Sequence, residues 1–131
     1  MQCRVPDEEY VAIDGDDVGH RLEGYIVAND VHAVSAFSEA LVDFFAALSS
    51  LLEANGHRII FCAGDSLLSC ATRPTPVNLL RELPVGPCNV SIGIGRTPGQ
   101  AFLALQLAKA KGKNKIVRMQ DMTVDDSYEL K

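Results

Sequence analysis

The chain is short of positive charge: 12 lysines and arginines stand against 17 aspartates and glutamates, a formal net charge of -5. Proteins that coat nucleic acid neutralise phosphates with a basic excess, so no stable nucleic-acid binding is expected here. Small anionic ligands stay within reach of a local basic cluster. The four cysteines, Cys3, Cys62, Cys70 and Cys88, form no CxxC pair and no His/Cys metal spacing. Three of them lie in or beside apolar strand-like runs, so buried, reduced thiols are expected. No apolar run approaches the roughly 20 residues of a membrane span, and the opening MQCRVPDEEY lacks the basic-then-apolar order of a signal peptide. The expected location is therefore the cytoplasm. Internal repeats and low-complexity segments are also absent.

What is present is a chain of 131 residues, 47% hydrophobic, which fits one globular domain over residues 1–131 with an acidic tail from about 120 to 131. Tyr10 to Ile13 reads as a first strand ending at Asp14, and Gly15, Gly19 and Gly24 read as a loop after it. Residues Ala28 to Ala54 repeat apolar side chains at helical spacing, with Asn29 or Asp30 to cap the start and Asn55-Gly56 to stop it. His57 to Phe61 and Leu67 to Ala71 form two runs joined by CAGDS, a hairpin that carries Asp65 at its tip. A short helix follows at Val77 to Leu83. Cys88 to Ile94 alternates as a strand, Pro98 opens a second long helix, and Lys115 to Met119 closes with another strand. This order predicts an α+β, ferredoxin-like βαββαβ fold: an antiparallel sheet with its helices packed on one face and a small extra helix before the fourth strand.

Three carboxylates crowd into AIDGDDVG, at Asp14, Asp16 and Asp17. A like-charge pair at roughly 4 Å and an effective dielectric near 20 costs about 4 kcal/mol, so the side chains diverge into water or a cation belongs among them. In the expected topology the first strand pairs with the hairpin's first strand, which brings Asp14 to Asp65 at the turn. Two carboxylates from separate segments, each beside a glycine, suit a hard divalent ion such as Mg2+, which takes oxygen ligands and shares itself with phosphates. Each acid taken alone is also an ordinary turn residue.

Four of the twelve basic residues fall within AKAKGKNK, at Lys109, Lys111, Lys113 and Lys115, with Gly112 as the expected helix cap. Lysines there complement the helix dipole and need no further role. They also offer point charges to a polyphosphate.

The stretches YVAIDGDD, IIFCAGDSLL and NVSIGIG with AKAKGKNKIV resemble, in order, the signature regions of the GGDEF and nucleotide-cyclase palm superfamily. From Tyr10 to Val117 the chain most resembles the minimal CRISPR polymerase family. The resemblance implies a palm that binds a nucleoside triphosphate, ATP by preference, with two Mg2+ (or Mn2+) ions and joins nucleotides into a cyclic product. By position Asp14 and Asp65 match the catalytic metal-binding acids, and the Gly15 carbonyl matches a backbone metal ligand. Lys109 and Lys113 match the triphosphate-binding residues, and Asp16, Asp17, Gly64 and Ser66 fall in the nucleotide-binding segments. A cyclic dinucleotide needs two active sites face to face, which implies a homodimer. Family membership further implies antiphage defence, with a separate effector protein reading the product.

The hairpin departs from the signature: Ala63 replaces a glycine and Ser66 replaces the second acid. Asp16 and Asp17 are the candidates to supply that charge, or are plain loop acids. The Gly-Asp-small pattern is also similar to class III adenylyl cyclases, which implies 3′,5′-cyclic AMP as an alternative product. A catalytically degenerate nucleotide sensor is a third reading. Leu22 stands where diguanylate cyclases carry a guanine-reading Asn, which favours adenine.

Overall fold

A computed structural model describes residues 8–120 and 123–130. Cys3 lies outside them. The element order is β1 (Glu9–Gly15), α1 (Val18–Val27), α2 (Val31–Ala54), β2 (Arg58–Ala63), β3 (Ser66–Ala71), α3 (Val77–Arg81), β4 (Val90–Gly95), α4 (Pro98–Ala110), β5 (Lys115–Gln120) and β6 (Thr123–Glu129). The six strands form one sheet in the order β2-β3-β1-β4-β5-β6. The fold is α+β, a ferredoxin-like palm extended by the β4-α4-β5 unit and by β6.

Four expectations need correction. β1 pairs antiparallel with β3, the hairpin's second strand, and with β4, whereas β2 is the sheet edge. Asp14 still reaches the turn, because it lies opposite Ser66 in the β1-β3 register. The sheet is not wholly antiparallel: β5 runs parallel to β4, since a helix rather than a tight turn joins them. The glycine-containing segment after β1 is a helix, α1, because Val18, Leu22 and Tyr25 recur at helical spacing and join the core beneath it. Finally, α2 and α3 share one face of the sheet as expected, joined there by α1, but α4 lies on the other.

Alternation along β4 explains that division. Ile92 and Ile94 point into the main core with Val11, Ile13, Phe37, Leu41, Phe45 and Leu48. Gly93 and Gly95 leave the opposite face of the strand bare. A Cβ on Gly93 would land on the Ala101 carbonyl oxygen and the Leu105 amide nitrogen. So α4 settles on strand backbone, its small Ala101, Ala104 and Ala108 fully buried. Burying a side chain the size of Phe45 or Leu48 contributes roughly 1.5–3 kcal/mol.

By length and composition α2, with 24 residues, could cross a membrane, contrary to the expectation from apolar runs. Here Phe37, Leu41, Phe44, Phe45, Leu48 and Leu52 bury one side of it against the sheet. Glu39, Asp43 and Glu53 are exposed on its outer side. Asp30 caps its start, accepting from the Ala33 amide at 3.0 Å, and Gly56 (φ +89) lies just past its end. The described cysteines are free; Cys70 is buried, but Cys62 is exposed because β2 is an edge. The tail is structured through β6, which pairs antiparallel with β5.

At the sheet end remote from Asp14, Glu9 accepts from the Thr75 amide at 2.6 Å and pairs with Arg118 at 3.3 Å. Buried His57 lies 2.9 Å from the Ser69 hydroxyl and 3.2 Å from that of Thr75. Burial holds the His57 pKa below 6.5, so the folded state favours the neutral ring. Its stability contribution is present above pH 6.5 and is lost as pH falls toward the folded pKa. Thermal midpoints recorded between about pH 7.5 and pH 5.5 should therefore fall on acidification, and less steeply in His57→Gln. Gly93→Ala should destabilise the fold by about 3 kcal/mol in chemical denaturation; a neutral result would mean that α4 does not rest on the strand backbone.

Candidate active site

β1 delivers its carboxylates to the end of the sheet where the β2-β3 hairpin turns. Ala63 pairs with Ser66, so Gly64 and Asp65 form a two-residue turn, and Gly64 supplies the positive φ of +60 that it requires. The Gly15 amide donates to the Asp65 carbonyl at 2.9 Å, tying the turn to β1. A Cβ at Gly15 would meet Val18 at 2.7 Å and the Asp65 Cβ at 3.2 Å, so glycine is what allows the two segments to close.

Asp14 accepts from the Ser66 hydroxyl at 2.6 Å. Its other oxygen lies 3.0 Å from the Lys109 ammonium. The same ammonium donates to the Gly15 carbonyl at 3.1 Å and reaches Asp16 at 3.3 Å. Burial pulls the Lys109 pKa down, but hydrogen bonds and charge from Asp14 and Asp16 outweigh it, leaving a net rise. Asp65 is half-buried, and burial followed by the charge on Asp14 pushes its carboxyl above the usual range. Two acids thus approach each other at the turn, and one ammonium sits against the oxygens of Asp14, Gly15 and Asp16.

The remaining residues separate. Asp16 is almost wholly buried and receives the Ser91 hydroxyl at 2.7 Å and the Asn114 amide at 2.8 Å. It therefore ties the loop after α4 to β1 and β4. Asp17 is exposed and pairs with Lys113, whose hydrogen bond holds the Asp17 carboxyl below the usual range. Gly64 sits at the exposed hairpin tip, with open space around it. Asp17, Lys113 and Asn114 all have positive φ (59°, 66° and 51°), so three non-glycine residues in the left-handed region gather here. Each is worth of order 1–3 kcal/mol of strain, which the surrounding bonds must offset.

A family model described as the minimal CRISPR polymerase domain matches residues 10–119. The chain belongs to the minimal CRISPR polymerase family. No curated protein matches it. Among solved structures it is similar to a diguanylate cyclase/phosphodiesterase from Caldicellulosiruptor saccharolyticus, with 14% sequence identity and a TM-score of 0.68. That match covers 95% of this chain and 82% of the other, and at this identity it shows the fold alone. The minimal CRISPR polymerase domain thus shares that fold, and every residue of the site just described falls within the matched span.

Among the described residues no three His, Cys, Asp or Glu side chains converge as a closed metal centre. The donor set nevertheless fits a hard ion that keeps several waters: the Asp14 and Asp65 carboxylates with the Gly15 carbonyl, all oxygen. A cation already rests on part of that set, the Lys109 ammonium. Ser91 and the Asn114 amide escaped the sequence reading. Ser91 could have been found from the alternation of NVSIGIG, which puts it on the face of the two glycines at the start of β4.

Lys109→Met should lower the thermal midpoint in chelator, because Asp14 and Asp16 lose their cation. Mn2+ should then raise that midpoint more than it does in the native protein. Equal Mn2+ shifts would show that the ammonium and the ion do not compete for the same oxygens.

Proposed function

We propose that this member of the minimal CRISPR polymerase family is a metal-dependent nucleotidyltransferase that converts ATP into a cyclic di- or oligoadenylate second messenger. The observation that carries the reading is the meeting of Asp14, the Gly15 carbonyl and Asp65 beside Lys109 in the palm of a polymerase family. Asp14, Asp65 and the Gly15 carbonyl would hold Mg2+ or Mn2+. When bound, such ions lower the pKa of an attacking ribose hydroxyl and neutralise the leaving pyrophosphate. Lys109 and Lys113 meet triphosphate oxygens as point charges, exchanging carboxylate partners for phosphate ones. The Ser66 hydroxyl, where other palms carry an acid, orients Asp14. Buried Asp16 repairs no metal set in this reading; it holds the lysine-bearing loop in place through Asn114 and Ser91.

A symmetric homodimer would present two triphosphates to each other for cyclisation. The product would act in the cytoplasm, read by a separate effector protein in antiphage defence. One specific feature favours a second reading, a nucleotide sensor without turnover: Ser66 stands in place of the second acid while Lys109 neutralises the first.

Purified protein incubated with ATP and Mg2+ or Mn2+ should release pyrophosphate, and product mass separates cyclic oligoadenylate from 3′,5′-cyclic AMP. Absence of pyrophosphate with all four nucleotides, despite tight ATP binding, would establish the sensor instead. Asp65→Asn should reduce turnover by at least about a thousandfold, the order expected when a charge-stabilising group is lost. Its thermal midpoint at neutral pH should hold or rise, since the raised Asp65 pKa means that its charged form opposes folding. A large fall in the midpoint would identify Asp65 as structural.

A further inference from the structure

The chain leaves α4 through three successive residues of positive φ: Gly112 at 115°, Lys113 at 66° and Asn114 at 51°. Gly112 has a local cause. Its amide donates to the Lys109 carbonyl at 3.3 Å and the Lys113 amide to the Ala108 carbonyl at 3.0 Å, the paired bonds that close a helix over a left-handed glycine. Lys113 and Asn114 lie beyond that device. Each carries a Cβ, which in the left-handed region crowds the following carbonyl oxygen, although asparagine tolerates this better than lysine. Their conformation is therefore imposed from outside the helix.

The bonds that impose it converge on Asn114. Its backbone amide is shared between Asp16 at 2.8 Å and the Ser91 hydroxyl at 3.1 Å. Its side-chain amide donates to the Leu130 carbonyl at 3.1 Å, and its backbone carbonyl accepts from the Leu130 amide at 2.8 Å. This second pair ties the loop to the residue that follows β6. Leu130 is itself fixed, because Glu129 pairs with Lys115 at 2.8 Å while Tyr128 and Leu130 pack against the main core. A cleft of about 120 Å³, whose lining includes Arg81, Cys88, Val90, Asn114 and Leu130, lies beside the pair. On this side the loop is bonded into place rather than packed.

The two lysines depend on that loop differently. Lys109 belongs to α4, and its ammonium reaches Asp14 from a helix seated on the sheet. Lys113 lies past the helix end, where its ammonium meets Asp17. Because β5 fixes the chain that follows, rotation of Asn114 out of the left-handed region would swing Lys113 away and leave Lys109 in place. We propose that Asn114 is a positioning residue for Lys113, and that its bonds to Leu130 make β6 a determinant of triphosphate affinity. The inference rests on the reading above, in which Lys113 meets triphosphate oxygens. Coupling between sites is reciprocal, so a bound triphosphate also strengthens the Asn114-Leu130 bonds.

The test is calorimetric titration of α,β-methylene ATP with Mg2+ into the native protein, Asn114→Ala, Lys113→Met, Lys109→Met and the two double variants that join Asn114→Ala to each lysine change. Pyrophosphate release from ATP and thermal midpoints are followed in parallel. Asn114→Ala and Lys113→Met should each weaken the analogue about tenfold, the order of one charge-assisted hydrogen bond. Joined, they should lose no more than Lys113→Met alone, whereas the losses of Asn114→Ala and Lys109→Met should multiply. Losses that multiply in both double variants would make Asn114 structural only and overturn the proposal. Leu130→Pro removes the amide donor and should repeat the Asn114→Ala loss, while Leu130→Ala keeps the donor and should bind as the native protein does. That pair decides the matter if Asn114→Ala fails to fold, and equal losses in the two overturn the coupling to β6. In the native protein the analogue should slow hydrogen exchange at the Leu130 amide; an unchanged rate also overturns that coupling. If the affinities follow this pattern without pyrophosphate release, the positioning role stands and the nucleotidyltransferase reading fails. If pyrophosphate is released while Asn114→Ala and Leu130→Pro keep native affinity, that reading stands and the positioning role falls.

Discussion

One ammonium group organises the end of this molecule. Lys109 stands within 3.0 to 3.3 Å of Asp14, the Gly15 carbonyl and Asp16. Without a positive charge there, an acid-rich strand end would repel itself beside a hairpin that adds Asp65. The lysine can reach only because α4 lies close on the sheet, which in turn requires Gly93 and Gly95 to carry no side chain on that face. The Thr97 hydroxyl caps the start of α4, accepting from the Gln100 amide at 3.1 Å. Gly112, at φ +115, turns the chain at its end. Position of the charge thus depends on a helix whose seating is set by two absent side chains.

The loop that follows is held by the same acids. Asn114 adopts a left-handed backbone and spends its amide on Asp16 and Ser91, at 2.8 and 3.1 Å. Its side-chain amide donates to the Leu130 carbonyl at 3.1 Å and its backbone carbonyl accepts from the Leu130 amide at 2.8 Å, which links this loop to the end of β6. Asp16 is therefore buried for a structural reason, whereas Asp14 and Asp65 remain partly open at the end of the sheet. Neighbouring carboxylates in one short segment have different fates because one points beneath α4 and another toward the hairpin. The strained residues gather where loop and strand meet, consistent with a loop whose position matters more than its comfort.

Much of the fold was legible from pattern alone. The caps of α2 and α4, the Gly64 turn and the strand runs all follow from local chemistry, which acts within a few residues. The α1 segment reads locally as a loop because Gly19 and Gly24 weigh against helix, while Val18, Leu22 and Tyr25 gain their stability only from the core beneath. The one-sided arrangement of helices failed for α4 because it depends on which face of β4 is bare. That information stands in SIGIG, but it becomes decisive only when a helix is there to use it. Pairing of β1 with β3 rather than β2 is a long-range choice that no local signal announces.

For the site, the residue types alone pointed to Asp14, Asp65 and a cluster of four lysines, carboxylates beside glycines and lysines at a helix end, and the family resemblance singled out Lys109 and Lys113. Chemistry of that kind is carried by side-chain identity and survives any error in topology. The tertiary structure decided which of them meet. It buried Asp16 against Ser91 and Asn114, paired Lys113 with Asp17, left Gly64 at the tip, and opened a groove between Phe61 and Phe102 that lie far apart along the chain. Those outcomes depend on strand register and helix seating, and both are settled by packing across the whole sheet rather than by any one segment.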